Sequence, residues 1–582
     1  MNCSRARATL WIATALVAGA FPARAAEVIR IDDLDAGEDL RVEHFRVDRP
    51  VTLRLQCVGA GDGDAEEMYA YGWILDARTR DVVWSLDPRS GKRDKEQRIT
   101  FDGDIALQPG IYAACYAAYG DWRMRWRIIK IMDKEIMRIE MPRKLSKKLE
   151  RDAQSWKLLL ETRTDRDLAS VGPAPPPEPG SDPRLVVQMI GLGDNAFEKR
   201  GFTLPERSRL TVYGIGEWDQ GNEAMADGCW ILEAESRKRV WALGPDNFRH
   251  AGGAAKNKVA RETITLPAGN YVAYACTDDS HGKDAWNAPP PYDPESWGIT
   301  LWAESEDLAR RVRPFDDDAE HPALLSIARQ GSDAYASQGF TLAHPARLRV
   351  YSLGECTSAS GCVDRGWIEN YHTRDRVWEF EPEKTLPAGG ATKNRYMDET
   401  IALAAGDYVA YYVTDDSHAF EDWNQTPPHD PEHWGVTLYG VDRLSASEFK
   451  LFDPERRAEA DKPYLVRLVR IGDNEKRSER FRVDKPTRVH ILAVGEGVEP
   501  DMVDYGWIEN RTTGDVVWEL TWRNSRWAGG AKKNRIFDGE MLLDRGEYEA
   551  YYETDGSHAW KAWNQAPPDD PGLWGLTITI VK

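Results

Sequence analysis

After its first 25 residues this 582-residue chain has no apolar run long enough to cross a bilayer as a helix. Basic residues are in deficit. There are 76 Lys and Arg against 96 Asp and Glu, a net charge of −20, which argues against nucleic acid and against an anionic membrane surface as partners. The sequence also lacks Cys-x-x-Cys, His-Glu-x-x-His, EF-hand, Walker and Gly-x-Ser-x-Gly patterns. Each absence removes one motif for a chemistry: the redox or thiolate zinc pair, the zinc-hydrolase helix, the EF-hand calcium loop, the phosphate loop and the serine elbow.

What is present is a folded-protein composition, with 41% hydrophobic and 30% charged residues and 23 Trp beside 22 Tyr. The length exceeds one ordinary core, and the aromatic content favours sheets over helical bundles. Arg5 and Arg7, the apolar Ala8 to Ala20 and the Ala23-Arg24-Ala25 step read as a signal peptide over 1–25, with the mature chain beginning at Ala26. The expectation is export to the periplasm or beyond. Cys3 falls in the leader, and the other six cysteines come two per segment: Cys57 and Cys115, Cys229 and Cys276, Cys356 and Cys362. In an exported chain they are expected to pair within each segment.

A recurring frame divides the rest. It runs from a Phe-x-Val/Leu start through an apolar strand to Gly-Trp-Ile, then Val-Trp, then Gly-x-Tyr. Its Trp pairs are Trp73/Trp84, Trp230/Trp241, Trp367/Trp378 and Trp507/Trp518. The Gly-x-Tyr sites end at Tyr112, Tyr271, Tyr408 and Tyr548. Alternating stretches such as Arg209 to Tyr213, Arg347 to Tyr351 and Arg488 to Leu492 read as strands. The fold class expected is mainly β: four tandem β-sandwiches of jelly-roll type at 27–132, 183–303, 322–442 and 463–582. The connectors are 133–182, 304–321 and 443–462. The first carries a helix over 143–161 and a Pro-rich spacer over 173–183.

This frame resembles the pre-peptidase C-terminal modules of secreted bacterial proteins. Such modules ride beside a catalytic domain, and no catalytic domain is evident here.

One feature lies outside that pattern. A block Thr-Asp-x-Ser-His, then Trp-Asn, Pro-Pro, Asp-Pro and Trp-Gly starts at Thr277, Thr414 and Thr554. Its chemically varied residues are Asp278, Ser280, His281, Trp286, Asn287, Asp293 and Trp297 in the first copy. They are Asp415, Ser417, His418, Trp423, Asn424, Asp430 and Trp434 in the second, and Asp555, Ser557, His558, Trp563, Asn564, Asp570 and Trp574 in the third. An Ala-Gly-Gly-Ala-x-Lys-Asn segment accompanies each block and supplies Lys256 and Asn257, Lys393 and Asn394, Lys533 and Asn534. The first unit lacks both, which predicts that the two segments touch.

Four readings follow. In the structural one, Asp, Ser and Asn cap the loop's own backbone and the two Trp clamp together. In the second, Trp, Asn, Asp and His bind a glycan or a protein partner. In the third, Asp415, Asp416, His418 and Asp430, helped by Glu355 and Asp364, hold calcium or zinc; Gly556 replaces the second acid in the last copy. In the fourth, Ser417-His418 is catalytic, but neighbours on an extended strand face opposite ways. The expectation is a non-catalytic binding protein without a resident cofactor, with a structural spacer as the alternative and a metal-dependent hydrolase as the distant one.

Overall fold

The computed structural model describes residues 26–582 apart from 38, 62–67, 90, 94–97, 120–125, 132–133, 141–146, 284, 318–321, 358–360, 442–443, 445–446, 455, 458–463 and 582. The signal-peptide reading lies outside the described residues. The chain divides into two compact units. The first is Met1–Leu185 with Arg249–Val259 and Ser280–Trp297. The second is Val186–Phe248 with Ala260–Asp279 and Gly298–Lys582.

The protein is mainly β, in several antiparallel sheets. In the second unit the plan is clearest over the third repeat. One sheet orders Leu325–Ile327, Gly435–Gly440, Ala346–Thr357, Asn394–Leu403 and Leu386–Pro387. The other orders Arg376–Glu379, Arg365–Asn370, Gly406–Val413, Tyr335–Leu342 and Phe449–Phe452. The fourth repeat follows the same plan, with Tyr464–Val469, Gly575–Ile580, Thr487–Val498 and Asn534–Leu543 in one sheet. Lys476–Val483, Gly546–Glu553, Tyr505–Asn510 and Val516–Glu519 make the other.

The alternating stretches are strands, but longer than their alternation. Arg347 to Tyr351 lies in the 12-residue strand Ala346–Thr357, in which Val350 to Glu355 are buried on successive residues because both faces are covered there. The Gly-x-Tyr sites have a common cause. Each Tyr hydroxyl donates to the carbonyl four residues earlier, at 2.8 Å for Tyr112 to Gln108, 3.0 Å for Tyr271 to Pro267, 3.1 Å for Tyr408 to Ala404 and 2.9 Å for Tyr548 to Asp544. That bond pins the turn before the strand, as tyrosine corners do in other sandwiches.

The connectors differ from expectation. Of the helix foreseen over 143–161, the described residues hold a helix at Lys147–Ala153, and 143–146 lie outside the described residues. Lys157–Thr162 is instead a strand between Ala26–Ile31 and Val51–Gly61. Its run Leu158, Leu159, Leu160 is buried, and a continuous apolar run of that length suits a strand covered on both faces better than a one-sided helix. Val171–Pro173 adds an edge strand beside Asp39–Val47. Arg313–Phe315 and Phe449–Phe452 likewise turn parts of the later connectors into edge strands on Phe197–Leu204 and Tyr335–Leu342.

Only one of the expected cysteine pairs is a disulfide, Cys356–Cys362. Cys57, Cys115, Cys229 and Cys276 are free and buried. In the antiparallel register Cys276 stands opposite Gly228, one residue short of Cys229, so the two thiols leave opposite faces of the sheet. Cys57 packs against the Gly72 and Tyr116 side of its layer, whereas Cys115 stands opposite Trp73, on the other face.

Candidate functional site

In the third repeat the block follows Gly406–Val413, and its first residues are local caps. The Thr414 hydroxyl donates to Gly331 O at 2.7 Å, and Asp415 Oδ1 accepts from Ser417 N at 3.1 Å. Ser557 and Asp555 repeat that cap at 2.9 Å. Ser417-His418 does not lie on a strand. His281, His418 and His558 have φ of 65°, 56° and 58°, the left-handed region that a branched or bulky residue enters only when its surroundings hold it there.

Those surroundings are a small core of the loop's own. His418 is fully buried, 5.1 Å from the Trp423 ring and 5.9 Å from the Trp434 ring, and the two indoles meet at 5.0 Å and 90°. His558, Trp563 and Trp574 repeat the triangle at 5.1, 5.8 and 5.0 Å. His281, Trp286 and Trp297 repeat it in the first unit at 4.9, 5.5 and 5.0 Å. Edge-to-face rings at these distances are favourable packing.

The Gly-Gly segment closes the other side, so the two co-occurring segments do touch. Gly390, at φ 64°, sits where a Cβ would collide with the Pro427 carbonyl; Gly253 meets Pro290 and Gly530 meets Pro567 in the same way. Asn394 Nδ2 then donates to Gly389 O at 2.9 Å and Thr426 O at 3.0 Å. Its Oδ1 is thereby fixed as an acceptor, so the 2.6 Å contact with His418 Nε2 places the imidazole proton on Nε2. Asn534 with His558 and Asn257 with His281 copy this at 2.6 and 2.7 Å. Lys393, Lys533 and Lys256 bond Asn424, Asn564 and Asn287 at 2.8, 2.7 and 2.8 Å. Burial, then the neighbouring Lys393 charge, pushes the His418 imidazole down to about 3, against the Asn424 bond. His558 is pushed down to about 3 for the same reasons. These histidines are neutral packing elements at ordinary pH.

Anchors tie the loop to its own sandwich. Asp364 accepts from Asp415 N at 2.9 Å and from Trp434 Nε1 at 3.0 Å. Asp504 does the same with Asp555 N at 2.9 Å and Trp574 Nε1 at 3.2 Å. Asp278 N donates to Asp227 at 2.8 Å.

The metal ligands expected in the third repeat have separate partners: His418 is held by Asn394, Asp430 by Arg237, and Asp416 is exposed. Among the described residues the one group of three acids with ligand atoms within 4.8 Å of each other is Glu496, Asp504 and Asp555. Lys533 Nζ already stands 3.1 Å from Glu496 Oε1 there.

The last Asp of each block does something its sequence did not advertise. Asp293 takes Arg80 Nε at 2.8 Å and Nη2 at 2.5 Å, within the first unit. Asp430 takes Arg237 Nε at 2.8 Å and Nη2 at 2.6 Å, within the second. Asp570 takes Arg374 Nη2. Each arginine belongs to the segment before the block it meets. Burial by itself raises the Asp430 carboxyl, but the Arg237 charge, with His433, outweighs it and holds the group well below the usual carboxylate range. Arg80, Arg237 and Arg374 occupy one position of a recurring turn, with φ of 61°, 58° and 64°. The fourth repeat has Gly514 there, at φ 76°. Arginine at a turn position where glycine is the default residue was the readable signal.

No family model matches the sequence, and no curated protein is similar to it. Among solved structures, the CBM32-1, CBM32-2 and M60 catalytic domains of Clostridium perfringens ZmpB align at 8% identity over 66% of this chain and 52% of that one, with a TM-score of 0.13.

Proposed function

We propose that this is a non-catalytic, exported interaction protein built from sandwich modules, in which the repeated block is a clasp. The carrying observation is the bidentate pairing of Asp430 with Arg237, in a position that Asp293 with Arg80 repeats and Asp570 with Arg374 approximates. A carboxylate and a guanidinium in that geometry fix orientation as well as energy. The block's His and Trp are consumed in building the clasp, so its role is to present Asp and the Pro-rich backbone to the preceding segment's turn. The Cys356–Cys362 disulfide supports export, since such bonds persist in oxidising compartments.

Hydrogen exchange over 425–434 tests the reading. Arg237→Ala is expected to unprotect these amides while the His418–Asn394 core stays protected. Unchanged protection sinks the clasp.

A further inference from the structure

The clasps also show what covers a particular face. In the first unit Tyr71 Oη donates to Pro290 O at 3.0 Å and Trp73 Nε1 donates to Tyr292 O at 2.6 Å. In the second unit Trp230 Nε1 donates to His429 O at 2.5 Å. Each covered face is aromatic: Trp230 stacks on Tyr274 at 5.4 Å and 13°, and Trp367 on Tyr411 at 5.1 Å and 12°. Trp73, Trp230 and Trp367 are 0%, 4% and 0% exposed.

The fourth repeat builds the same platform. Trp507 stacks on Tyr551 at 5.0 Å and 11°, with Tyr505 beside it at 5.5 Å. All three rings are only half-buried. Tyr505 and Trp507 stand two apart on their strand, as Tyr71 and Trp73 do. The acid-holding arginines of the third repeat are gone: Arg365, Arg374 and Arg376 hold Asp569 and Asp570, and their places in the fourth repeat are taken by Tyr505, Gly514 and Val516.

We infer that the Tyr505–Trp507–Tyr551 face docks a neutral, proline-rich extended segment of another protein. Its carbonyls accept from Tyr505 Oη and Trp507 Nε1, as Pro290 and Tyr292 accept from Tyr71 and Trp73. Proline-rich backbone suits this because it is pre-extended and leaves its carbonyls unbonded. A carboxylate finds Tyr505, Gly514 and Val516 where the third repeat has its three acid-holding arginines, so the segment differs from the internal blocks in charge. Lys476, whose Nζ lies 4.9 Å from the Trp507 ring centre and 2.7 Å from Glu553, covers the ring in the free protein and swings away on its flexible stem. The inference rests on the clasp reading, since the occupant is deduced from the clasps. A second copy of the chain is disfavoured as occupant, because its three blocks already sit on Arg80, Arg237 and Arg374.

The test is titration of the full chain with a synthetic peptide of residues 287–292, Asn-Ala-Pro-Pro-Pro-Tyr. Saturable binding is expected, weakened about five-fold or more by Trp507→Phe and by Tyr505→Phe, each of which removes one donor and keeps a ring. A peptide with alanine in place of the prolines should not bind. No saturable binding at millimolar peptide, or equal affinity in a Trp507→Phe chain whose melting is unchanged, overturns the inference. Self-association that Trp507→Phe abolishes overturns it in favour of a second copy. Peptide failure with the 425–434 amides still protected rejects this inference alone; loss of their protection in the wild-type chain rejects the clasp reading beneath it.

Discussion

Arg237 and Asp430 form a two-point ion pair with both side chains 3% exposed, joined on the arginine side by Asp317. Charges so deeply placed are costly to leave alone. Arg237→Ala is expected to lower the stability of the second unit by about 3–5 kcal/mol, because Asp430 stays buried without its partner. Asp430→Ala added to that variant should cost much less than it does alone. Arg374, whose side chain is 47% exposed but which also meets the buried Glu369 at 3.2 Å, should cost less on truncation than Arg237. Denaturant melts of the two single variants and the double variant form the cycle. Additive losses would remove the coupling on which the clasp depends.

Gly390 tests the contact between the two co-occurring segments. Its φ of 64° and the Pro427 carbonyl where a Cβ would stand make Gly390→Ala a double fault, strain plus collision. A loss of about 2 kcal/mol or more is expected, against about 1 kcal/mol for Gly361→Ala, which meets the strain of its own positive φ but has open space around it. Thermal melts decide. Equal effects at both glycines would mean that backbone strain alone, and not the packing of Pro427, matters there.

Much of this was legible in the sequence. The alternating stretches, the Gly-x-Tyr corners and the clamp of Trp423 on Trp434 follow from local patterns whose physics is local. The adjacency of the Gly-Gly segment and the block was readable from their joint absence in the first unit. The Arg237–Asp430 pair was not, because its partners are 193 residues apart; arginine at a glycine position marks an unusual turn but does not name the acid it meets. The strand at Lys157–Thr162 was missed because Leu145, Leu149, Trp156 and Leu159 set a helical spacing that outweighed the continuous run Leu158 to Leu160. The Cys57–Cys115 and Cys229–Cys276 pairings failed on facing, a property that counting cysteines does not contain.

Those cysteines yield a prediction of their own. Burial pushes the Cys276 thiol up to about 12 and raises Cys57, Cys115 and Cys229 as well. A thiol so shielded is not a nucleophile at neutral pH. All four should resist a thiol-reactive disulfide reagent in the native chain and react after unfolding without reductant. A non-reducing digest should yield the Cys356–Cys362 link; a Cys57–Cys115 or Cys229–Cys276 peptide would contradict the sheet facing.

Acid sensitivity should come from the buried histidines. An unfolded histidine titrates near 6.5, while His418 and His558 are held near 3. Their contribution to stability is therefore full above pH 6.5 and is lost as pH falls from there toward 3. Asp504 acts in the opposite sense. Burial, against the Asp555 backbone bond, pushes its carboxyl from 3.8 up to about 7, so its contribution is full below 3.8 and lost as pH rises through 7. In the fourth repeat the two slopes oppose each other between about pH 4 and 6.5. His558→Gln should leave only the Asp504 slope, making that repeat more stable at pH 4 than at pH 7.5. NMR of the His418 and His558 imidazoles should show no midpoint between pH 8 and 4, and a midpoint near 6.5 for His558 would refute its enclosure.

Glu496, Asp504 and Asp555 raise the question of a cation, which Lys533 answers electrostatically. Its ammonium lies 3.1 Å from Glu496 Oε1 and 2.7 Å from Asn564 Oδ1, so one positive charge already offsets part of the acids' charge. Calcium takes six to eight oxygens at 2.3–2.6 Å, and three carboxylates beside a fixed ammonium are a poor start for that shell. Chelator should therefore leave the wild-type melt unchanged. Lys533→Met keeps the packed stem and deletes the charge, leaving the carboxylates to repel one another. That variant is expected to melt several degrees lower, and millimolar calcium is expected to restore part of the loss. A wild-type melt that falls with chelator and recovers with calcium would instead assign the ion, not the lysine, as the natural counter-charge of this cluster.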